Sequence, residues 1–214
     1  MDFDLAMTDD LLSTTRAVRK RLDFDKPVPR SVIEECISLS QQAPTGTNSQ
    51  GWRWIVVEDA KKRERLAEIY RMGSGDYLTS QAELAKQSGD VQTGRVLDSA
   101  TFLADNLQHA PVHVIPCLTG KPPEGTPIAG VTAMMGSIFP AVCSFQLALR
   151  ARGLGSCLTS LHLFNAHLAA DLLDIPDDIL QIALLPVAYT KGTDFKRANR
   201  PPASSIIHYD GWSG

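Results

Sequence analysis

One long apolar stretch, from about Thr132 to Arg152, most constrains what this chain can fold into. Its residues fit a helix that is apolar on most of its circumference, and such a helix must be covered on at least two faces. We expect a subunit interface to cover one of them. Pro140 lies inside the stretch. Because proline lacks the amide donor and clashes with the preceding turn, Pro140 must either kink the helix or mark its true beginning.

Helix and strand patterns alternate along the rest of the chain. Helical spacing of apolar residues predicts a helix from about Pro29 to Gln42, and a β-branched run predicts a buried strand from Val112 to Leu118. Further strands are predicted for Trp52 to Val57 and within Asp178 to Tyr189. Strands separated by helices imply a three-layer α/β or α+β fold around one mixed sheet.

The segment from Gly73 to Gly94 is polar, interrupted by glycines and without a clear period. It lies between predicted helices over Ala60 to Met72 and Val96 to Gln108. A segment of this kind suits a mobile lid, and its conformation stays open at this point.

The size and charge of the chain set broad limits. Its 214 residues, 43% of them hydrophobic, suffice for one core, so we expect a single domain over 1–214 with an extended arm from about residue 191. The net charge of -3 and the lack of a broad basic face indicate no nucleic-acid partner. No apolar run approaches the length of a membrane span, and the acidic N-terminus is unlike a secretory signal.

The candidate metal ligands and thiols suggest no metal site. The four cysteines form no CxxC pair and lie in apolar surroundings: Cys36, Cys117, Cys143 and Cys157. This pattern favours buried, reduced thiols and predicts a cytoplasmic protein. His109 and His113 flank Pro111, which prevents the helical turn that would bring both rings to one metal ion.

Familiar catalytic motifs are missing from the sequence. Gly153 to Ser156 begins like a dinucleotide fingerprint, but the third glycine is missing and a helix precedes it where a strand is required. The sequence contains neither a GxxxxGK[ST] phosphate loop nor a GxSxG nucleophile elbow. No paired acid and base is evident, and we predict no catalytic side chain.

Two polar segments in the N-terminal quarter could contact one ligand. The run from Thr14 to Arg21 clusters arginines, whose guanidinium groups bind phosphate oxygens in a bidentate fork. A solvated basic face would have the same composition. The loop from Ala43 to Trp52 is built of small and turn-forming residues that could approach the edge of a planar ring. It could equally be an Asx-type turn that places Trp52 in the core.

Two later segments complete the set. Gly153 to Leu161 combines glycines that end the long helix with a short extended run, although a simple helix C-cap would look similar. Lys196, Arg197 and Arg200 form a second basic cluster before a double proline, which could also be exposed tail charge. Together the four segments suit a ligand with a phosphate at one end and a hydrogen-bonding ring at the other.

In this order, the segments resemble the nitroreductase family of FMN flavoproteins over nearly the whole chain. Thr15 to Arg19 resembles the family's Arg-Arg-Ser-x-Arg, and Ala43 to Trp52 resembles its Ala-Pro-Ser-x-x-Asn-x-Gln-Pro-Trp. Gly153 to Ser156 matches its Gly-Leu-Gly-Ser. Its closing pattern, a strand ending in Gly-Tyr followed after a gap by Arg before Pro, resembles Ala188-Tyr189 and Arg200-Pro201.

The chain departs from the family pattern at a few positions. Thr15 and Ala17 stand where the family often has arginine and serine, which removes two potential phosphate contacts. Gly51 replaces the usual proline before tryptophan. Cys143-Ser144 stands where the family often has Gln-Asn in the long helix, so the resemblance does not imply that family's polar contact at this position.

The resemblance implies a three-layer α/β/α, α+β nitroreductase-like fold that forms an intertwined homodimer, with two FMN sites lined by both chains. The tail around Ile206-Ile207 would embrace the partner by strand addition. Arg19 would place positive charge near the flavin N1 and O2. The residues implied to contact FMN are Arg16, Ala17, Arg19, Pro44, Thr45, Asn48, Thr159, Ser160, Leu161 and Arg200.

The resemblance also implies the reaction. NAD(P)H would dock transiently, reduce the flavin and leave before a nitroaromatic, quinone or enone acceptor enters, so the kinetics should be ping-pong. Acceptor choice would fall to the segments Met72 to Gly94 and Lys121 to Gly130. The alternatives are a flavin-fragmenting or reductive-dehalogenating enzyme of the same fold, a non-catalytic FMN-binding sensor or store, and a structural dimer without flavin.

Overall fold

The computed structural model describes residues 2–212, so the ends of the predicted domain, residue 1 and residues 213–214, lie outside the described residues. Seven α-helices are described: α1 Leu5–Thr14, α2 Arg30–Ser40, α3 Ala60–Ser74, α4 Tyr77–Gln87, α5 Val91–Asn106, α6 Ile128–Ala151 and α7 Ala166–Leu173. Six strands accompany them: β1 Leu22–Asp23, β2 Trp52–Val57, β3 Val112–Thr119, β4 Leu154–Ser156, β5 Ile179–Gln181 and β6 Leu185–Thr190.

The strands form one sheet in the order β1-β6-β3-β2, with β4 added to β6 and β5 added to β3. The strand pairs among the described residues are antiparallel. We expected a mixed sheet, and its parallel component is a single bridge between Ala17 and Ser156. β2 forms one edge of the sheet.

Helices cover both faces of the sheet, as the alternation of side chains along β3 shows. Ile115 and Cys117 pack with α3 and α5, whereas Val112 and Val114 pack with α2 and α6. Successive side chains of a strand point to opposite faces, so these two clusters are the two halves of a three-layer fold. This confirms the predicted fold class.

The long apolar helix α6 begins earlier than predicted, at Ile128, and continues through Pro140 to Ala151. Pro140 therefore does not mark its beginning. Its buried side chains lie from Ser137 onward, while Ile128 is 81% exposed. By length and composition alone, this helix of 24 residues is long and apolar enough to cross a membrane. The prediction that no apolar run of this chain approaches the length of a membrane span is therefore wrong.

Three other predictions need correction. Cys143 is exposed rather than buried, because it lies on a face of α6 that the protomer does not cover, while the other three cysteines are buried. The helix predicted from Val96 begins earlier, at Val91, as α5, and the segment Gly73 to Gly94, whose conformation the sequence left open, also contains α4. The strand predicted within Asp178 to Tyr189 is two strands, since the intervening Leu184 pairs with Thr159 instead.

Candidate cofactor site

A basic pocket of about 510 Å³ opens beside the segment that follows α1. Arg16 and Arg19 line it from that segment, and Ser99 lines it from α5. The beginning of the C-terminal arm, including Lys196, forms another wall. The pocket thus combines the basic run of Thr14 to Arg21 with Lys196, the first residue of the second basic cluster.

The cations of this pocket differ in what they already bind. Arg21 contacts Asp194 at 2.6 Å, and Lys20 forms an ion pair with Asp98. Arg16 donates to the backbone oxygen of Lys196 at 3.0 Å, and Arg19 donates to the Ser99 hydroxyl at 3.3 Å. Arg16 and Arg19 have no carboxylate partner among the described ion pairs, so their charge is available to an anion.

The stretch after α6 meets this basic segment directly. Val18 donates its N–H to the Ser156 oxygen at 2.9 Å, alongside the bridge between Ala17 and Ser156. Gly155 allows the contact, since a Cβ there would lie 2.9 Å from Val18 Cβ. Burial raises the pKa of the Cys157 thiol, and the neighbouring Arg19 guanidinium, which hydrogen-bonds it, lowers that pKa.

Thr159 is anchored in the core. Its backbone N–H donates to Leu184 O at 3.0 Å, its backbone oxygen accepts from Leu184 N at 2.8 Å, and its hydroxyl also donates to Leu184 O. Burial raises the pKa of Tyr70 to about 12, while a hydrogen bond with the Thr159 hydroxyl and the charge of Arg19 act in the opposite direction. Thr159 therefore has no backbone group left for a ligand.

Ser160 and Leu161 follow at the start of the short 3-10 helix Leu161–Asn165, where the first backbone N–H groups lack helical partners. Ser160 is exposed and Leu161 is partly exposed. Gly73 of α3 approaches them so closely that a Cβ would lie 1.8 Å from the Leu161 oxygen. Unlike Thr159, Ser160 and Leu161 have backbone N–H groups without a partner among the described hydrogen bonds.

The loop from Ala43 to Trp52 has an unusual backbone. Thr47, Asn48 and Gln50 all have positive φ, at 51°, 55° and 49°. Left-handed conformations at residues other than glycine cost energy, most of all at β-branched residues, and such strain concentrates at functional sites. Trp52 is buried, as expected of a turn that places it in the core, and the approach of the loop to a planar ring stays a prediction.

The loop is fixed to α6, away from the basic pocket. Gly46 donates its N–H to Ser137 Oγ at 3.1 Å, and Trp52 Nε1 donates to the Ser137 backbone oxygen at 2.7 Å. Pro44 and Asn48 are exposed, and Thr45 is partly exposed. None of these loop residues lines the pocket of Arg16 and Arg19 in the described part of the protomer.

Arg200 also lies outside the basic pocket. It is exposed, and its guanidinium donates to the backbone oxygen of Asn199. Within one protomer, the structure therefore brings the segments around Arg16 and Thr159 together, and leaves the loop at Asn48 and Arg200 apart from them.

Sequence reasoning missed the residues that support this site from α3 and α5, namely Tyr70, Gly73 and Ser99. Gly73 could have given a signal only if the helix had been predicted to continue past Met72, because a glycine within a helix can mark a close approach. The two histidines four apart have separate environments: His109 is exposed, whereas buried His113 shares a hydrogen bond with the Leu107 oxygen at 2.8 Å. Among residues 2–212, no group of three potential ligands forms a metal site.

Comparison with known proteins gives a consistent result. The sequence model of the Nitroreductase family matches residues 12–189. The iodotyrosine deiodinase of Thermotoga neapolitana is 23% identical over 206 residues, which cover 96% of this chain and 99% of that protein. Iodotyrosine deiodinase 1 of Rattus norvegicus is 33% identical over only 60 residues, which are 28% of this chain and 20% of that protein.

A solved structure supports the same fold. The crystal structure of an oxidised iodotyrosine deiodinase bound to FMN and 3-iodo-L-tyrosine superposes with a TM-score of 0.69 at 22% identity. The match covers 95% of this chain and 99% of that one.

Proposed function

Because the chain belongs to the nitroreductase family, we propose that it is a homodimeric FMN-dependent oxidoreductase that reduces a small organic acceptor with electrons from NAD(P)H. The observation that carries this proposal is the contact between the Arg16 and Arg19 pocket and the stretch after α6. That contact would put a site for a dianion next to donors suited to a polar ring. The chemistry supplied by bound FMN is hydride uptake from a nicotinamide followed by electron delivery to the acceptor.

The donor set of the pocket fits a phosphate. Arg16, Arg19 and Lys196 would surround it, and the one carboxylate in the pocket wall, Asp194, already pairs with Arg21. Guanidinium groups favour phosphate because they offer parallel donors to two oxygens. Ala17 would contribute its small side chain, which leaves the pocket mouth open.

The donors at the other end suit the edge of the flavin ring. The backbone N–H groups of Ser160 and Leu161 would donate to ring acceptors, and Thr159 would hold both in position through its pairing with Leu184. Arg19 links the two ends, since it also lies beside Cys157 and Tyr70. Its charge would favour electron uptake at the ring.

A second subunit would complete the site. The exposed apolar part of α6, including Ile128 and Phe139, calls for cover, and it lies next to the strained loop. We propose that Pro44, Thr45 and Asn48 of one chain border the ring bound by the other. Arg200 would likewise reach the phosphate of the partner's site.

The C-terminal arm gives further support for a dimer. Its apolar residues are exposed: Ile206, Ile207, Tyr209 and Trp212. β2 offers an open sheet edge, to which an extended segment of another chain could add. We also propose that each chain is a single domain and that the protein is cytoplasmic. The three buried, free cysteines fit a reducing compartment.

Two measurements test the proposed activity. The purified protein should be yellow or should bind FMN on reconstitution, and anaerobic addition of NADH or NADPH should bleach the flavin absorbance at a rate that matches turnover. A preparation that cannot bind FMN would refute cofactor binding. A bound flavin that neither nicotinamide reduces would refute NAD(P)H as the electron donor, and it would leave reductive dehalogenation with another reductant or a non-catalytic binding protein.

Reductive dehalogenation is the second candidate, because the chain is similar over 96% of its length to an iodotyrosine deiodinase. The α4 and α5 region and the Lys121 to Gly130 loop would then select a halogenated phenol. Dithionite-reduced protein mixed with 3-iodo-L-tyrosine would release iodide in that case. Comparison with a nitroaromatic acceptor at equal concentration decides between the two activities.

A further inference from the structure

Phe195, in the first part of the C-terminal arm, contacts two arginines that come from distant parts of the chain. The guanidinium carbon of Arg21 lies 4.2 Å from the centre of its ring, and that of Arg150 lies 4.7 Å away. Guanidinium groups over an aromatic ring are attracted by its quadrupole, and more strongly when the contact is partly shielded from water. Phe195 is partly buried by these contacts.

The same two arginines also hold the backbone just before Phe195. Arg21 donates through Nε to the Lys191 oxygen at 2.9 Å, and Arg150 donates through Nη2 to the Thr193 oxygen at 2.9 Å. Residues 191–195 therefore form an anchor, which fixes the chain just before the exposed remainder of the arm.

The anchor determines where the next residue lies. Lys196 lines the basic pocket, and its backbone oxygen accepts from Arg16 Nη1 at 3.0 Å. Because Lys196 directly follows Phe195, a shift of the Phe195 ring would move both the lysine and the group that orients Arg16. Arg150 lines a neighbouring groove beside α1 and does not line the basic pocket itself. Its effect on the pocket would therefore pass through its contact with Phe195.

We propose that Phe195 is a positioning residue for the phosphate of the cofactor: its contacts with Arg21 and Arg150 hold Lys196 and Arg16 at the phosphate end of the pocket. This inference rests on the proposed binding of FMN. It makes a narrower claim, because it concerns the phosphate and leaves the ring contacts unchanged.

The test compares the affinities of FMN and riboflavin, which differ only in the phosphate, by titration of the flavin-free protein. Phe195→Leu keeps an apolar side chain but removes the aromatic ring. We expect it to weaken FMN binding on the order of tenfold, or about 1.4 kcal/mol, and to leave riboflavin binding within about twofold. Phe195→Tyr restores the ring and should restore FMN affinity.

Matched arginine variants test whether the effect passes through the ring. Arg150→Met should weaken FMN binding and spare riboflavin binding. Arg152→Met is the control for charge: it removes the same charge two residues away, where the side chain pairs with Glu35, and should leave the FMN affinity unchanged. Arg150 also contacts Thr14 Oγ1 at 3.3 Å, so Thr14→Val serves to measure that contact alone.

The outcomes separate this inference from the proposed function. If the wild-type protein does not bind FMN, the proposed function fails and the inference fails with it. If the wild-type protein binds FMN, two results would overturn the role of Phe195 alone: unchanged FMN affinity in Phe195→Leu, or an equal loss of FMN and riboflavin affinity. The second result would mean that the ring only stabilises the fold.

Discussion

Gly73 of α3 offers the sharpest test of how the site is built. A Cβ at this position would lie 1.8 Å from the Leu161 oxygen and 2.8 Å from the Leu161 carbonyl carbon. Both atoms belong to the backbone, so no flexible side chain can move aside. The alanine variant must therefore separate α3 from the segment that begins at Ser160.

The expected size of the effect follows from that distance. Contacts below 3.0 Å are essentially never seen for a real Cβ, so the gap must open by at least about 1.2 Å. Overpacking of this kind costs up to about 3 kcal/mol. Alanine in place of glycine in a helix regains up to about 1 kcal/mol. Gly73→Ala should thus destabilise the protein by about 2 kcal/mol and lower Tm by about 4 to 8 °C.

Gly94→Ala in α5 is the matched control, since a Cβ at that position would meet nothing within 4 Å. It should raise Tm by about 2 to 4 °C through helix propensity alone. Urea unfolding at constant ionic strength measures both variants. If Gly73→Ala were as stable as Gly94→Ala, the close packing of α3 on Leu161 would be wrong. If it were destabilised yet bound FMN normally, Leu161 would not border the ring.

Three further predictions concern pH, charge and packing. Burial lowers the pKa of His113 and of His162 to about 4. The unfolded protein, in which a histidine has a pKa of about 6.5, therefore takes up protons before the folded protein does as the pH falls. The free energy of unfolding should drop by roughly 3 kcal/mol per histidine by pH 4. A flat stability profile in urea titrations between pH 7 and 5 would contradict this. Arg16→Glu with Arg200→Glu should abolish FMN retention on gel filtration, because it places acids against a dianion; undiminished affinity would place the phosphate elsewhere. Gly155→Ala should cost about 1 to 3 kcal/mol, because its Cβ would meet Val18, and a wild-type Tm would argue against that contact.

Much of the fold could be predicted from local patterns. The helix at Pro29 to Gln42 and the strands at Trp52 and Val112 occur where periodicity placed them. Polar segments were harder, because the helices between Tyr77 and Asn106 bury few side chains and so have a weak apolar period. The break between β5 and β6 could not be predicted, since it depends on the pairing of Leu184 with Thr159 across the sheet.

The site was only partly predictable, for a related reason. Motifs and charge identified the segments around Arg16 and Thr159, whose contact the structure shows. They could not reveal that Thr159 has its backbone groups engaged by Leu184, because this contact joins residues far apart in sequence. Tyr70 and Gly73 were missed for the same reason, since a helix pattern does not show what packs against it.

The basic run after α1 shows why charge alone cannot locate a binding group. Arg16, Arg19, Lys20 and Arg21 look equivalent in the sequence, yet Lys20 and Arg21 already pair with carboxylates. A phosphate that competed for these two would have to break an existing ion pair, whereas Arg16 and Arg19 offer charge without that cost. Substitution of Arg19 should therefore weaken FMN binding directly. Because Arg19 also lies beside Cys157 and Tyr70 at the ring end, its substitution should weaken riboflavin binding as well. Substitution of Arg21 should act through Phe195 and spare riboflavin, so the riboflavin affinity distinguishes the two arginines.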